Sequence, residues 1–253
     1  MIKQELFKLR YQKSLWAAAG VLIMLMLFVA GFTLTATYSD QQFYFSVAYS
    51  GFQWVSILMI ILSATCVTME FAYGTIKQLA LQVRSRNQIY FAKWLVMVGV
   101  SVCLHGLAIL TTMLIQLGLN QHLELKSNYL YHQSLLHNLV ANAELDLYGN
   151  LLIIGLVFCL ASLGRNSGVT IAVSLAVCFF GEGLSAMVLQ VAGPLTGILR
   201  WNPLNMLNLQ NEYGNPAYRH MTHLTLTQLA VGNGMWAIGF IALGAIIFSK
   251  RQL

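Results

Sequence analysis

Charged residues are scarce in this sequence. The 14 Lys and Arg plus the 8 Asp and Glu make 22 of 253 residues, or 9%, whereas 58% are hydrophobic. Soluble domains carry about 25% charged residues. So few charges cannot cover a soluble surface of this size, and a disordered chain would need low hydrophobicity and high charge. The composition therefore excludes both classes and predicts a polytopic membrane protein, whose length accommodates about six helical spans of about 20 apolar residues each.

Several catalytic and cofactor-binding motifs are also absent. Without a GxxxxGK(S/T) phosphate-binding loop, we expect no ATP hydrolysis by this chain, and it contains neither HExxH nor GxSxG. The four cysteines form no CxxC pair and lie in apolar stretches, where they are small buried hydrophobes. The histidines outside the apolar stretches have no Cys or acidic cluster beside them. We therefore expect no enzymatic activity, no cofactor and no metal in the chain itself.

Apolar length predicts an all-α fold in a single transmembrane domain over residues 1–253. The predicted spans are residues 15–35, 47–69, 94–119, 145–163, 169–191 and 226–248. An interfacial helix is predicted at residues 1–13, a cytoplasmic loop at 71–87, and an external segment that partly re-enters the membrane at 192–225.

The distribution of basic residues predicts the orientation. With the N-terminus in the cytoplasm, eleven of the fourteen basic residues lie on the cytoplasmic side, and the reverse orientation leaves three there. Basic residues concentrate in cytoplasmic loops, so both termini are predicted to be cytoplasmic. The net charge of +6 is then explained without nucleic-acid binding. The eleven residues are Lys3, Lys8, Arg10, Lys13, Lys77, Arg84, Arg86, Lys93, Arg165, Lys250 and Arg251.

The first thirteen residues have the pattern of a short basic amphipathic helix. Ile2, Leu6 and Leu9 fall on one helical stripe, and the basic residues fall largely elsewhere. Such a helix is suited to the cytoplasmic headgroup layer, although a plain positive flank of the first span is the alternative. The residues assigned to it are Lys3, Leu6, Lys8, Leu9, Arg10 and Lys13.

A second short amphipathic helix is predicted between the second and third spans. Ile76, Leu79, Ala80 and Val83 recur at positions i, i+3, i+4 and i+7, which makes one apolar face about two turns long. That face could be buried by the membrane surface or by a groove on a cytoplasmic partner. A helix held in a groove can transmit a rigid-body movement into the two spans that it joins.

These features together resemble the permease subunits of ABC-2 type transporters. The resemblance is most specific in residues 1–16 and 70–94, which include the pattern Glu-x-x-x-Gly-Thr-x-Lys followed by Arg-x-Arg and a later Lys93. The opening residues are similar to a branch with permeases for lantibiotic self-immunity and amphipathic-peptide export. A proline that many relatives have before Arg86 is missing here, which leaves the shape of this loop open.

The resemblance implies a type V exporter-like fold in which residues 2–13 form an elbow helix and residues 71–87 contain the helix that couples to the ATPase. The implied coupling residues are Glu70, Gly74, Thr75, Ile76, Lys77, Leu79, Ala80, Val83, Arg84 and Arg86. The implied partners are two copies of a separate ATPase, which holds the ATP and Mg²⁺, and a second or sister permease in the bacterial cytoplasmic membrane. The implied cargo is an amphipathic or antimicrobial peptide. Alternatives are a lipid or drug permease, an ATP-independent transporter and an intramembrane enzyme.

Two ionisable residues are prominent deep inside predicted spans. Glu182 lies between two glycines in the fifth span and His105 lies in the third. A carboxylate at that depth is costly unless it is protonated, hydrated or paired, so Glu182 is a candidate for the translocation path or for a helix–helix contact. His105 lies at a similar depth and is the candidate partner, with a backbone carbonyl as the alternative partner for its ring.

Overall fold

The computed structural model describes residues 1–74, 85–118, 123–164 and 166–251. Within these ranges the chain is helical, and one isolated bridge between Asn128 and Ser134 is the extent of its β-structure. The helices are α1 (Ile2–Tyr11), α2 (Lys13–Thr33), α3 (Tyr38–Ser46), α4 (Gly51–Ala72), α5 (Arg86–Gly118), α6 (Leu135–Leu163), α7 (Ser167–Val191), α8 (Thr196–Leu199), α9 (Leu209–Gly214), α10 (Arg219–Thr222) and α11 (Leu226–Lys250).

Six stretches are long and apolar enough to cross a membrane: α2, the α3–α4 pair, α5, α6, α7 and α11. Each is at least as long as the ~20 residues that a helical span requires. The predicted all-α fold with six spans is therefore confirmed for the part of the chain that the structure describes.

The sixth helix begins earlier than the apolar length indicates. It starts at Leu135 rather than near Leu145, and the Ser134 side chain caps it by accepting a hydrogen bond from the His137 backbone N–H. The first turns contain Asn138 and Asn142, which lower the hydropathy although both are buried. Burial inside the protein, rather than contact with lipid, permits these polar residues within the helix.

A left-handed turn joins α3 to α4. Ala48, Tyr49 and Ser50 have φ values of 54°, 49° and 61°. Residues other than glycine disfavour this region because their Cβ atom approaches the following carbonyl oxygen. Ala48 and Tyr49 are fully buried, so packing holds the turn in this conformation. The turn lies at the start of the second predicted span, residues 47–69, and separates α4 from α3, which precedes that span.

The sixth helix packs closely against α11 at the centre of the bundle. A Cβ atom added to Gly155 would lie 3.2 Å from the Ala237 carbonyl oxygen, and one added to Gly244 would lie 3.1 Å from the Cys159 Cα. Small residues permit such close approach between helices in membranes. There, van der Waals packing favours helix association, because lipid provides no hydrophobic driving force between helices. These two glycines therefore permit α6 and α11 to approach each other closely.

The segment between α7 and α11 folds back against both helices. Met206 and Leu209 are buried, and the Asn233 side chain on α11 donates a hydrogen bond of 3.3 Å to the Met206 carbonyl. The Asn205 side chain donates to the Thr222 carbonyl at 2.9 Å and thereby closes the segment on itself. The predicted external segment is thus a chain of short helices and turns, with its polar backbone groups bound internally.

Candidate functional site

Four charged side chains meet where α1, α4 and α5 come together, and we call them the charge cluster. Lys93 Nζ lies 2.8 Å from Glu5 Oε2 and 2.8 Å from Glu70 Oε1. Lys8 Nζ lies 3.1 Å from Glu5 Oε1 and 3.0 Å from Glu70 Oε1. Each lysine thus binds both carboxylates. The charge cluster is formally neutral and joins three helices that are far apart in sequence.

The charge cluster is stabilised as an ionised group. Burial alone would raise the pKa of the Glu5 carboxyl, but the charges and hydrogen bonds of Lys93 and Lys8 outweigh burial and leave the pKa below its ordinary value. Burial alone would lower the pKa of the Lys8 ammonium, but Glu70 and Glu5 raise it above its ordinary value. Lys93 is the most enclosed member, with 3% of its side chain exposed.

The buried side of α1 differs from the apolar stripe that the sequence predicts. The buried side of this helix contains Glu5 and Leu9, whereas Ile2 and Leu6 are 46% and 52% exposed. The predicted apolar stripe is therefore divided between the protein core and the outer surface. A carboxylate occupies the packed side because Lys93 and Lys8 neutralise it, and Lys8 faces these partners rather than only the headgroup layer. The remaining predicted basic residues of the segment are exposed: Lys3, Arg10 and Lys13.

Two arginines tie other elements to the same end of the bundle. Arg86 donates hydrogen bonds to the carbonyls of Ser249 and Arg251, at 3.3 Å and 2.7 Å. Arg251 donates to the carbonyls of Ala161, Ser162 and Gly164, and its guanidinium lies 3.7 Å from the centre of the Phe71 ring. Helix C-termini leave carbonyls without helical partners, and these arginines satisfy several of them. The start of α5 and the ends of α4, α6 and α11 therefore meet there.

Most of the predicted coupling helix lies outside the described residues. These residues are Thr75, Ile76, Lys77, Leu79, Ala80, Val83 and Arg84. Of the others, Gly74 follows the end of α4 with φ of 68°, a conformation that glycine adopts readily. Glu70, one of the residues implied at the ATPase contact, belongs to the charge cluster, and Arg86 binds the end of α11.

A stripe of polar side chains runs along the buried face of α6. Asn138, Asn142, Asp146 and Asn150 recur every four residues and are all buried. The spacing puts them on one face because residues four apart lie one above the other on a helix. Tyr213 donates a hydrogen bond of 3.1 Å to Asn138 Oδ1, and the Asn142 amide binds the Asn138 carbonyl.

His105 and Asp146 form the centre of this polar stripe. His105 Nε2 lies 2.8 Å from Asp146 Oδ2, and its Nδ1 lies 2.8 Å from the Ser101 carbonyl oxygen. A carbonyl only accepts, so Nδ1 carries a hydrogen, and a second proton must lie between Nε2 and Oδ2. The pair is neutral overall whichever atom holds that proton. Asn150 and Ser56 donate further hydrogen bonds to the Asp146 carboxyl, at 2.8 Å and 3.3 Å.

The structure does not bring Glu182 and His105 together. Glu182 Oε2 accepts a hydrogen bond of 3.0 Å from Asn211 Nδ2, whereas His105 is held by Asp146 and Ser101. Of the flanking glycines, Gly181 is the one at a close contact, since an added Cβ would lie 3.0 Å from a Leu204 methyl group. Glu182 and His105 are therefore not hydrogen-bonded to each other. Glu182 binds Asn211 of the folded-back segment, and His105 binds Asp146 of α6 and the Ser101 carbonyl, which is the backbone partner expected as the alternative.

A cavity of about 690 Å³ lies between α3, α4, α6, α7 and α9. It lies near the end of the bundle opposite the charge cluster, since α9 belongs to the segment that links α7 to α11 there. Both Asp146 and Glu182 line it, although they do not bind each other. The structure thus places two carboxylates from membrane-spanning helices, one on α6 and one on α7, at one cavity.

Comparison with known proteins identifies the family. Residues 1–181 match the family described as ABC-2 family transporter protein. The chain belongs to the ABC-2 family of transporter proteins. It is also similar to the uncharacterized protein YhcI of Bacillus subtilis (strain 168), with 27% identity over 212 residues that cover 78% of this chain and 64% of that protein. This ABC-2 family chain thus spans somewhat less than two thirds of the length of that relative.

Sequence reasoning missed two members of the polar sites in this ABC-2 family protein. Glu5 lies among basic residues and is assigned no role from the sequence. Its spacing of three from Lys8 allows an ion pair on one helix. Asp146 is the second residue of the predicted span 145–163 and is likewise assigned no role from the sequence. The four-residue spacing of Asn138, Asn142 and Asp146 was the available signal for a single buried polar face.

Proposed function

We propose that this chain is the permease subunit of an ATP-binding cassette exporter. It would work as a dimer of membrane domains, with itself or with a sister permease, and would bind two copies of a separate ATPase on its cytoplasmic side. The ATP and Mg²⁺ belong to that ATPase. Membership in the ABC-2 family and the six spans support this proposal.

The observation that carries the proposal is the charge cluster. Glu70 lies at the end of α4, before residues 75–84, and Lys93 lies in the first turns of α5, after them. Their ion pair, together with Glu5 and Lys8, joins both flanks of that segment to α1. A push on residues 75–84 would therefore move α1, α4 and α5 together, because buried ion pairs resist separation.

The same end of the bundle is the proposed cytoplasmic face. The charge cluster, Arg86 and Arg251 all lie there. Basic residues concentrate on the cytoplasmic side of membrane proteins. Both termini would then face the cytoplasm, where an ATPase is available.

The proposed cargo is an amphipathic or antimicrobial peptide, moved for self-immunity or export. The support is the likeness of residues 1–16 and 70–94 to permeases of that branch. A lipid or drug is the alternative cargo within the same class of transporter.

Assembly with an ATPase is the first test. The tagged chain, purified after mild crosslinking from its native membrane, should bring down an ABC ATPase, with one ATPase copy for each membrane domain. The Ile76→Asp/Leu79→Asp double variant should lose that ATPase, since two carboxylates would destroy the apolar face proposed to dock. A chain that never captures an ATPase would refute the exporter proposal.

The matched control is a Leu195→Asp/Ile198→Asp double variant. These two residues are 58% and 75% exposed and lie in the segment at the opposite end of the bundle. This control should retain the ATPase. Equal loss in both double variants would show a general effect on membrane insertion, and normal assembly of the first variant would refute the coupling assignment.

Cargo is tested separately on the assembled complex. In inside-out vesicles, we expect ATP-dependent uptake of a fluorescent amphipathic peptide and no uptake of its scrambled, non-amphipathic form. ATP-dependent movement of a fluorescent lipid without movement of the peptide would refute the peptide assignment and leave the exporter assignment standing.

A further inference from the structure

The cavity has a lining of one charge sign. The acidic residues in its lining are Asp146 and Glu182, and none of the described residues that line it is Lys, Arg or His. Its volume of about 690 Å³ falls within the ~300–1,000 Å³ of ordinary small-ligand sites. The cavity is therefore large enough for an organic molecule and electrostatically suited to a cation.

Glu182, when ionised, is a negative charge at this cavity for which the described residues supply no cationic partner. Asp146 shares a proton with His105, so that pair is neutral. Glu182 has a neutral amide, Asn211, as its hydrogen-bond partner, and no cationic partner among the described residues. An ionised carboxylate on a membrane-spanning helix is costly without a counter-ion, so a bound cation would stabilise the ionised form.

A buried polar atom at the same cavity also lacks a partner. Asn142 lines the cavity and is fully buried, and its Oδ1 has no hydrogen-bond partner among the described residues. Buried polar atoms are almost always hydrogen-bonded, and an exception needs an explanation. Within the part of the chain that the structure describes, Asn142 Oδ1 is therefore an unsatisfied acceptor on a residue of the cavity wall.

Aromatic rings complete the chemistry of the lining. Phe43, Tyr44, Phe179 and Tyr218 line the cavity, and the first two form an edge-on ring pair at 5.7 Å. The negative face of an aromatic ring attracts organic cations, most effectively where water is excluded. Carboxylate and rings together select a cation with an apolar body over an inorganic ion.

We propose that this cavity, inside a single copy of the chain, binds the cationic group of an amphiphile, with Glu182 as the counter-ion and the rings of Phe43 and Phe179 against its apolar part. The cationic group is an ammonium or guanidinium joined to an apolar body. The statement that this molecule is cargo rests on the proposed function, whereas its binding to the chain does not.

Binding is tested on the full-length chain in nanodiscs, without any ATPase. The probe is tetraphenylphosphonium, and its neutral and anionic counterparts are tetraphenylmethane and tetraphenylborate. We expect saturable binding of the cation and none of the anion. Glu182→Gln should raise the Kd for tetraphenylphosphonium at least tenfold, which corresponds to about 1.4 kcal/mol.

The matched control is Glu144→Gln. Glu144 lies on α6 two residues before Asp146, is exposed, and does not line the cavity. It should leave the Kd unchanged, which excludes a general effect of surface charge on a cationic probe. Asp146→Asn is a second variant in the cavity, and where it fails to fold, Glu182→Gln still decides.

Three results would overturn the proposal: no saturable binding by the natural sequence, equal binding of cation and anion, or an unchanged Kd in Glu182→Gln. Its failure is distinct from failure of the proposed function. A chain that captures its ATPase but does not bind the probe remains a permease without this site, and a chain that binds the probe but captures no ATPase retains the site alone.

Discussion

Replacing Lys93 with methionine tests whether the charge cluster holds the helices together. Methionine is similar in length but uncharged, so Glu5 and Glu70 would lose the one cation that lies 2.8 Å from both. The net charge of the cluster would change from zero to minus one. Lys8 would remain as the single counter-ion for two carboxylates that are 5% and 11% exposed in their side chains.

The expected magnitude follows from burial. Removing one partner of a buried ion pair costs about 3–5 kcal/mol, because the other charge is left uncompensated. Lys8 forms the same two pairs with its side chain 44% exposed, so solvent screening reduces its contribution to about 1 kcal/mol or less. At about 2–4 °C per kcal/mol for a chain of this size, Lys93→Met should lower Tm by about 6 °C or more, and Lys8→Met by about 4 °C or less.

The assay is thermal unfolding of the purified chain in nanodiscs, followed by tryptophan fluorescence. A double variant, Glu5→Gln with Lys93→Met, restores neutrality and should unfold at a higher temperature than Lys93→Met alone. If the two lysine variants have equal Tm values, or if the double variant is no more stable than Lys93→Met, the cluster does not stabilise the bundle through its charges.

The remaining predictions concern packing, backbone and pH. Gly155→Val should destabilise the protein by about 1–3 kcal/mol, since its Cβ would meet the Ala237 backbone, whereas Gly149→Val has open space and should change stability by less than about 0.5 kcal/mol; both are measured as Tm. Ser50→Gly should raise Tm by relieving a φ of 61°, and a lower Tm would contradict this. The Glu5 pKa is lowered on folding, so its contribution is present above its ordinary value of 4.5 and is lost as pH falls through the lower native value. Glu5→Gln should flatten the decline of Tm below pH 4.5, and an unchanged decline would refute this.

The spans could be predicted because the hydrocarbon thickness fixes the length of an apolar helix. The edges were less predictable wherever protein, rather than lipid, surrounds the helix. The first turns of α6 contain Asn138 and Asn142. A prediction from apolar length leaves these polar residues outside the span, yet both are buried in the protein. The turn at Ala48–Ser50 has no glycine and no proline, so nothing local marks it, and tertiary packing determines it.

The candidate sites were predictable in part. Glu70 and Lys93 are singled out by the resemblance of the loop pattern, but the further partners of both come from α1, which sequence spacing does not reveal. The depth of His105 in its span was informative, whereas its partner Asp146 lies 41 residues away on another helix. Long-range pairing depends on how helices pack, and a single sequence contains little of that information.

The composition of the charge cluster has a consequence for membrane insertion during synthesis. Glu5, Lys8 and Glu70 enter the membrane region before Lys93, and without Lys93 they carry one net negative charge. Until the third span arrives, one carboxylate must stay in water or keep a proton. We therefore expect α1 to reach its final packing against α4 only after Lys93 of α5 has been inserted.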